Sequence, residues 1–492
     1  MPQTIPELFD AAVAAAPDKV WLVAGDESFT YAEARERVGR AAAALRAQGL
    51  RPGDLVLATM HNTPDHLFTW LASAYAGTVL VTANPRSAEA ELAGLVGQVR
   101  PRLVLSDAGV VGAVAVERLF ETGAAFEGTG PARPDDAAVL IPTSGTTGRS
   151  KLVTQTHRAY VMGGEGFPWW MELGPDDRLM TSLPLFHINA PTYSMLGSVA
   201  ARASLALLPR YSAGRFLESA RKHGATEFNA IGAMLEILMR RPEQPDDADT
   251  PLRLCYTGPA PPRERHLDIE RRFGLRIVCG YAMSETPYGT IWPRGTRPFG
   301  TLGSIRQHPT LGVVNEGRVM HDGLPAAAGE VGELELRNPA VMKGYWDMPE
   351  ETAKVLSNDG WLRTGDLVTA DDEGIYTFVG RAKEVIRRRG ENVAPAEIEE
   401  ALAGHPAVFE AAVVGVPSEL SEEEIKAFVV LHDPNADLAA VREHAGGLLA
   451  PFKVPRYMEA TEELPHTPTG RVAKHELTRE RTPAEIDFER RS

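Results

Sequence analysis

Short apolar runs alternate with segments of helical period through the first half of the chain. Leu55-Val56-Leu57-Ala58, Thr78 to Thr82 and Leu103-Val104-Leu105 are largely apolar stretches bounded by turn residues, the pattern of strands buried on both faces. Between them lie helix signals. Thr30 and Glu33 have capping-box spacing ahead of an alanine-rich stretch running to Gly49, and Thr63-Pro64 offers an N-cap and a first-turn proline for a helix ending near Gly77. Ser87 is expected to cap a third helix. The pattern returns at Ser204 to Leu208, with a helix around Ala213 to Gly224 and a further strand ahead of Thr257-Gly258. Strands alternating with helices predict βαβ units and a largely parallel sheet.

Beyond about residue 310 the texture changes. Gly329 to Leu336 alternates like a strand with one exposed face. After Gly380-Arg381-Ala382-Lys383 a new series begins, with a helix from Pro395 to about Gly404, strands over Val408–Val416 and Ile425–Leu431, and a helix around Leu438–Leu449. The expected fold class is α/β. Residues 1–381 form a large N-terminal domain of mostly parallel sheets flanked by helices, with a small β-rich subdomain, and residues 382–492 form a small α+β domain.

At 492 residues the chain is too long for one compact core. Its 43% hydrophobic and 24% charged content is that of a globular protein, and a formal net charge of −15 argues against a general nucleic-acid or acidic-membrane surface. Two cysteines, Cys255 and Cys279, are too few for a disulfide framework. The opening MPQTIPELFD lacks a basic stretch followed by an apolar one, and no run approaches the ~20 apolar residues that span a bilayer. A soluble cytoplasmic protein without integral membrane association is expected.

Candidate chemistry concentrates in Pro142-Thr-Ser-Gly-Thr-Thr-Gly-Arg-Ser-Lys151, directly after the apolar run Ala138 to Ile141. Its glycines let backbone N–H groups approach a ligand, its hydroxyls donate, and its lysine adds a point charge, a combination suited to a polyphosphate. It is not the P-loop of nucleoside triphosphatases, because Ser150 precedes Lys151 and Leu152 follows it. A solvated Gly/Ser/Thr linker is the plain alternative. Gly280-Tyr281-Ala282-Met283-Ser284-Glu285-Thr286 follows an apolar run and so sits at a strand's C-terminal end, where open α/β sheets place ligands. There a tyrosine can stack on a purine and a carboxylate can hold Mg²⁺. Trp361 to Asp366 sets a carboxylate after a turn, and Pro184-Leu185-Phe186-His187 sets a histidine beside apolar residues. Singly, these segments read at least as readily as a turn aspartate, and more readily as a loop and a structural histidine.

In this order the segments resemble the successive core motifs of the adenylate-forming superfamily, which includes acyl- and aryl-CoA synthetases, nonribosomal peptide synthetase adenylation domains and firefly luciferase. The resemblance runs from about Tyr31 to Leu477 and is closest to a stand-alone acyl-CoA ligase. It implies that Thr143, Ser144, Gly145, Thr146, Thr147, Gly148 and Lys151 handle the β- and γ-phosphates of ATP, that Tyr281 beside Gly280 stacks on adenine, and that Ser284 contacts the α-phosphate and substrate carboxylate. It further implies that Glu285 binds magnesium, that Asp366 and Arg381 hold the ribose, that Gly258 and Ala260 line the nucleotide and acyl pockets, and that His187 gates the acyl and pantetheine channels. The implied reaction joins a carboxylic acid to the α-phosphate of Mg·ATP as an acyl-adenylate, then transfers the acyl group to the thiol of CoA. Between the steps the small domain is mobile, with the hinge at Lys383 and Gly390 beside the pantetheine tunnel.

Two positions depart from the family pattern. Ser150 stands where proline is usual, and Arg471 stands where a lysine bridges carboxylate and α-phosphate, with Lys474 three residues later. Arginine is planar and bulkier than an ammonium, so adenylation is carried by Arg471, rescued by Lys474, or impaired while thioester formation survives. Around the acyl pocket the sequence points to Phe167-Pro168-Trp169-Trp170, Tyr193, Asn229, Gly232 and Met234. This aromatic and apolar content favours a fatty, aryl or polycyclic acid over an amino acid, unless the rings are ordinary core. The chain stops soon after the last motif without a carrier domain, which favours free CoA; an acyl carrier protein as acceptor and a homodimer stay open. A half-reaction enzyme and a non-catalytic nucleotide- or acyl-binding homologue are the competing readings.

Overall fold

The computed structural model describes residues 2–107, 109–110, 112–121, 126, 128, 130–143, 150–258, 260–388, 391–418, 423–467 and 472–489. They group by contact into two units. One holds the chain through Gly317 together with Leu336–Leu362; the other holds Arg318–Glu335 and the chain from Arg363 onward. Residue 381 lies inside the second unit, whose five-stranded sheet carries Leu362–Ala370 and Tyr376–Arg381 as neighbouring strands.

In the first unit, six parallel strands form the middle of a nine-stranded sheet, in the order Arg276–Met283, Leu254–Gly258, Glu227–Ile231, Arg178–Thr181, Ser204–Leu207 and Val20–Ala24. A seven-stranded sheet has the parallel strands Ala137–Thr143, Val79–Ala83, Leu55–Thr59 and Leu103–Ser106 at its centre. The main core cluster takes side chains from both sheets, including Leu22, Leu179 and Phe228 from one and Val56, Leu80 and Ile141 from the other. Burial on both faces is why these strands read as unbroken apolar runs.

Local signals set most helix starts. The Thr30–Glu33 box caps Tyr31–Ala47, and Thr63 caps Pro64–Ala76, which ends at Gly77 in the left-handed region at φ 72°. The third cap differs from expectation. Ala88 rather than Ser87 precedes Glu89–Val99, because the Glu91 carboxylate accepts from the Ala88 N–H at 3.0 Å and supplies the capping bond itself. Helix His157–Met171 carries the aromatic stretch 167–170. A Cβ at Gly163 would lie 2.4 Å from Thr192 Cγ2, so glycine there admits the π-helical turn Ala190–Met195 against this helix.

The second unit has a four-stranded sheet ordered Val408–Pro417, Glu423–Leu431, Tyr457–Ala460 and Ile486–Asp487, with helices Pro395–Ala403 and Leu438–Leu448. Ile398, Leu402, Val413, Ile425, Val429 and Val441 belong to its core. Among the described residues no helix is long and apolar enough to cross a membrane.

Asn62 ties the two sheets of the first unit together. Its Nδ2 donates to Leu183 O at 2.9 Å and Leu208 O at 3.3 Å, while its Oδ1 accepts from the Leu185 N–H at 3.0 Å. Truncation leaves three buried backbone groups without these bonds, at about 1–3 kcal/mol for an unsatisfied group. Asn62→Ala should therefore lower the urea unfolding midpoint by an amount equivalent to about 2–4 kcal/mol. A shift below about 0.5 kcal/mol, the usual range of surface substitutions, would remove Asn62 from this role.

Candidate active site

The segment expected to bind phosphate connects two antiparallel strands, Ala137–Thr143 and Lys151–Thr156, with Thr143 opposite Lys151. Thr143 Oγ1 donates to Lys151 O at 3.1 Å. Ser144, Gly145, Thr146, Thr147 and Gly148 lie outside the described residues, as do Gly390 and Arg471. A short strand arriving nearly two hundred residues later, Gly344–Tyr345, pairs with the second of these strands, setting Tyr345 opposite Val153. This register brings distant chemistry together. The Lys151 ammonium lies 4.9 Å from the centre of the Tyr345 ring, and the Tyr345 hydroxyl donates to Glu285 Oε1 at 2.9 Å. Burial and the Glu285 carboxylate together push the Tyr345 phenol above its ordinary range.

Backbone ties fix the carboxylate's own segment. Gln155 Nε2 donates to Ser284 O at 2.7 Å, and the Met342 N–H donates to Glu285 O at 2.8 Å. Glu285 is 9% exposed. Lys151 also pairs with Glu351 at 2.6 Å, and Lys354 bonds the other oxygen of that carboxylate. Neither Tyr345 nor Glu351 stood out in the sequence. Nothing in a lone tyrosine or a helix-surface glutamate marks it, since their proximity depends on strand pairing.

Gly258, Gly280 and Tyr281 sit where parallel strands end. A Cβ on Gly258 would lie 2.4 Å from Gly280 O, so only glycine allows these two strand ends to approach so closely. Tyr281 is half-buried and bonds Met283 Sδ at 3.5 Å; Ala260 packs at the edge of the main core. His187 is half-buried beside Phe186, ring centres 4.5 Å apart, and its N–H donates to Pro184 O at 3.2 Å.

On the acyl side, Tyr193 and Asn229 are buried. Tyr193 stacks on Phe167 at 5.1 Å and donates to Pro287 O at 2.6 Å, while Asn229 donates to Asn189 Oδ1 at 2.8 Å and Ser194 Oγ at 3.2 Å. Gly232 opens helix Gly232–Met239. Trp169 does not join this group: it is 38% exposed, with the Arg294 guanidinium 5.3 Å above its ring. Its neighbour Trp170 is the buried ring.

In the second unit, Asp366 and Arg381 are register partners on adjacent strands, joined at 2.8 Å. Asp366 is fully buried, whereas the Arg381 side chain is 43% exposed. Lys383 lies on the turn Ala382–Glu384. Lys474 is held between Glu384 at 3.0 Å and Glu399 at 2.8 Å. Burial pulls its pKa down, but the two carboxylates outweigh this and hold it above the ordinary lysine range.

Comparison with known proteins places these features in a family. The AMP-binding enzyme family matches residues 9–346, and the C-terminal domain of AMP-binding enzymes matches residues 397–471. A sulfoacetate–CoA ligase of Cupriavidus necator is 34% identical, covering 96% of this chain and 99% of its own. A crotonobetaine/carnitine–CoA ligase of Salmonella agona is 31% identical, over 91% of this chain and 93% of its own. The crystal structure of ATP-bound MatB from Rhodopseudomonas palustris superposes with a TM-score of 0.87 at 29% identity, over 96% of this chain and 98% of that one.

Bonds from Lys151 first and Lys354 second hold the Glu351 carboxyl down to about 2, from an ordinary 4.5. A carboxyl lowered on folding stabilises the folded state above its unfolded pKa and loses that contribution as pH falls through the folded one. The unfolding midpoint of the unaltered protein should therefore exceed that of Glu351→Gln by a constant margin above about pH 5, and the margin should close as pH approaches 2. A margin independent of pH across that window would contradict the pairing.

Proposed function

The chain belongs to the AMP-binding enzyme family and is an AMP-forming acid–CoA ligase, and from that premise we propose how its residues divide the work. The supporting observation is the string Lys151, Tyr345, Glu285, which holds a cation and a largely buried carboxylate on one aromatic side chain at the strand ends.

In the first step the acid's carboxylate attacks the α-phosphorus of ATP, the bond to pyrophosphate breaks, and an acyl-adenylate forms. In the second the CoA thiol attacks the acyl carbon, loses its proton, and AMP departs. Negative charge gathers on the leaving pyrophosphate, so positioned cations carry much of the stabilisation. Lys151, with Thr143 and residues 144–148, serves this end of ATP, exchanging the Glu351 carboxylate for phosphate oxygens. Glu285 fits Mg²⁺. It is a single hard carboxylate beside a phosphate-binding lysine, and among the described residues there is no cage of three acidic, histidine or cysteine groups, so the ion would be shared with the phosphates. Bound there, Mg²⁺ would neutralise phosphate charge. Tyr281 stacks on adenine, Ser284 reaches the α-phosphate, and Asp366, aligned by Arg381, accepts from the ribose hydroxyls.

For the bridging cation near the reacting carboxylate the scheme takes Arg471, a reading supported by the pairing of Lys474 with Glu384 and Glu399. Residues 382–492 turn about Lys383 between the steps, and Gly390 and His187 line the path of the pantetheine arm to the acyl group. CoA is the thiol donor; a carrier-protein pantetheine is the alternative acceptor.

Two assays on one purified sample test the scheme: acid-dependent ATP–pyrophosphate exchange, and CoA-dependent consumption of a synthetic acyl-AMP. Both should be active. Lys151→Ala should cut exchange by about 10²–10³-fold, the usual loss for one positioned charge-stabilising donor. Arg471→Ala should cut exchange about a hundredfold and acyl-AMP consumption far less. Equal loss in both assays would remove Arg471 from adenylation, and one active assay alone would identify a half-reaction enzyme. Inactivity in both across a broad acid panel would remove catalysis.

A further inference from the structure

The Lys151 ammonium already holds an anion. Its Nζ lies 2.6 Å from Glu351 Oε2, while the other oxygen of that carboxylate, Oε1, accepts from Lys354 one turn further along the helix Pro349–Val355. The three side chains form a line of alternating charge, cation, anion, cation. Bonds from the two lysines hold the Glu351 carboxyl down to about 2, so it is ionised at neutral pH.

Packing along the chain fixes this line. Thr352, next to Glu351, accepts from the Tyr345 N–H at its Oγ1, at 2.9 Å, and donates to Met348 O at 2.9 Å, which ties the helix to the two-residue strand Gly344–Tyr345. Gly344 has φ 139°, and a Cβ there would lie 2.7 Å from Thr352 Cγ2, so the bare glycine lets the helix close on the strand. That strand pairs with Lys151–Thr156. One short module, residues 344–354, therefore sets both the Tyr345 ring, at 4.9 Å, and the Glu351 carboxylate against the same ammonium.

The pair opens at small cost. The Lys151 and Glu351 side chains keep 22% and 33% of their surface exposed, and a partly exposed ion pair contributes only a factor of about 1.4–5 to an equilibrium. A polyphosphate offers several charged oxygens where Glu351 offers one. When Lys151 turns to phosphate, Glu351 is not left as a bare charge, because Lys354 still holds its other oxygen.

We propose that Glu351 is a resident anion that competes with polyphosphate for Lys151. It sets the affinity of the site for Mg·ATP, and by taking the lysine back it helps pyrophosphate leave once the acyl-adenylate has formed. Lys354 holds the carboxylate while it is displaced. The proposal rests on the ligase reading above and adds how that site takes up and releases its polyphosphate. Lys151 stays protonated throughout; only its counter-ion changes. Glu351 and Lys354 act through Lys151 and so are positioning residues, with opposite effects. Glu351 competes with the ligand, whereas Lys354 draws the carboxylate away from Lys151, so that its loss strengthens the pair that ATP has to break. AMP lacks the β- and γ-phosphates that Lys151 serves and reports on the rest of the site.

The test measures binding to the purified full-length protein by calorimetry at saturating Mg²⁺, with no acid present so that ATP is not consumed, and with Mg·ATP, Mg·pyrophosphate and AMP as the probes. Glu351→Gln should tighten Mg·ATP and Mg·pyrophosphate by about threefold or more and leave AMP within about 1.5-fold. Lys354→Met should weaken the same two ligands by about twofold or more and again spare AMP. In a Lys151→Ala background most of the gain from Glu351→Gln should vanish, as for residues acting through one shared contact. Melting curves establish that each variant folds; if Lys354→Met does not, Glu351→Gln with and without Lys151 decides alone. An equal shift for AMP, a shift of the same sign in both variants, a gain undiminished by Lys151→Ala, or no shift at all overturns the inference and leaves the ligase reading standing. Failure of the unaltered protein to bind Mg·ATP overturns the ligase reading and this inference with it.

Discussion

The bond from the Tyr345 hydroxyl to Glu285, made while the same ring faces Lys151, is the contact on which the candidate site depends. It joins three places far apart in the chain, and a two-residue strand makes it possible. Pairing of Gly344–Tyr345 with Lys151–Thr156 fixes which face each side chain takes, because a one-residue slip in a strand turns every side chain to the other side. A shifted register would aim the Tyr345 ring away from Lys151 and leave Glu285 without this donor. The ties from Gln155 to Ser284 O and from Met342 to Glu285 O hold the carboxylate's backbone in the same frame.

The chain treats buried charge in three ways. Where both partners are at hand it pairs them, as in Arg272 with Asp247 or Lys426 with Glu485 at 2.9 Å. A carboxyl alone can take up a proton. Among the described residues neither oxygen of the fully buried Glu227 is bonded, and burial raises its pKa well above the ordinary range. Arg306 has neither route open. A guanidinium keeps its proton, and among the described residues no carboxylate lies within ion-pair distance, so its charge persists among the rings of Trp170, Tyr193 and Tyr256.

In the second unit the same physics separates two cations that look alike in sequence. Lys474 sits between two carboxylates and is committed to the packing of its own unit, while Arg381 reaches from a buried ion pair toward solvent. Proximity along the chain to Arg471 says nothing of this. It is the turn Ala382–Glu384 and helix Pro395–Ala403 that bring Glu384 and Glu399 to the lysine.

Much of the fold was legible in the residues themselves. Continuous apolar runs announced strands buried on both faces, and Thr30 and Thr63 announced helix starts, because each depends on neighbours within a turn or two of chain. Ser87 misled only because Glu91 performs the capping bond from inside the helix. The motifs in their order carried the family as well. What the sequence could not settle was which side chains meet. Trp169 and Trp170 are adjacent and identical in chemistry, yet helical geometry exposes one and buries the other over Arg306. Tyr345, Glu351 and Arg306 carry no local mark, since the first two meet Lys151 only through strand pairing, and only three dimensions show that the last has no carboxylate beside it among the described residues. Short-range preferences are written into the order of residues; a charge's environment is a sum over everything that folds around it, and only tertiary structure performs that sum.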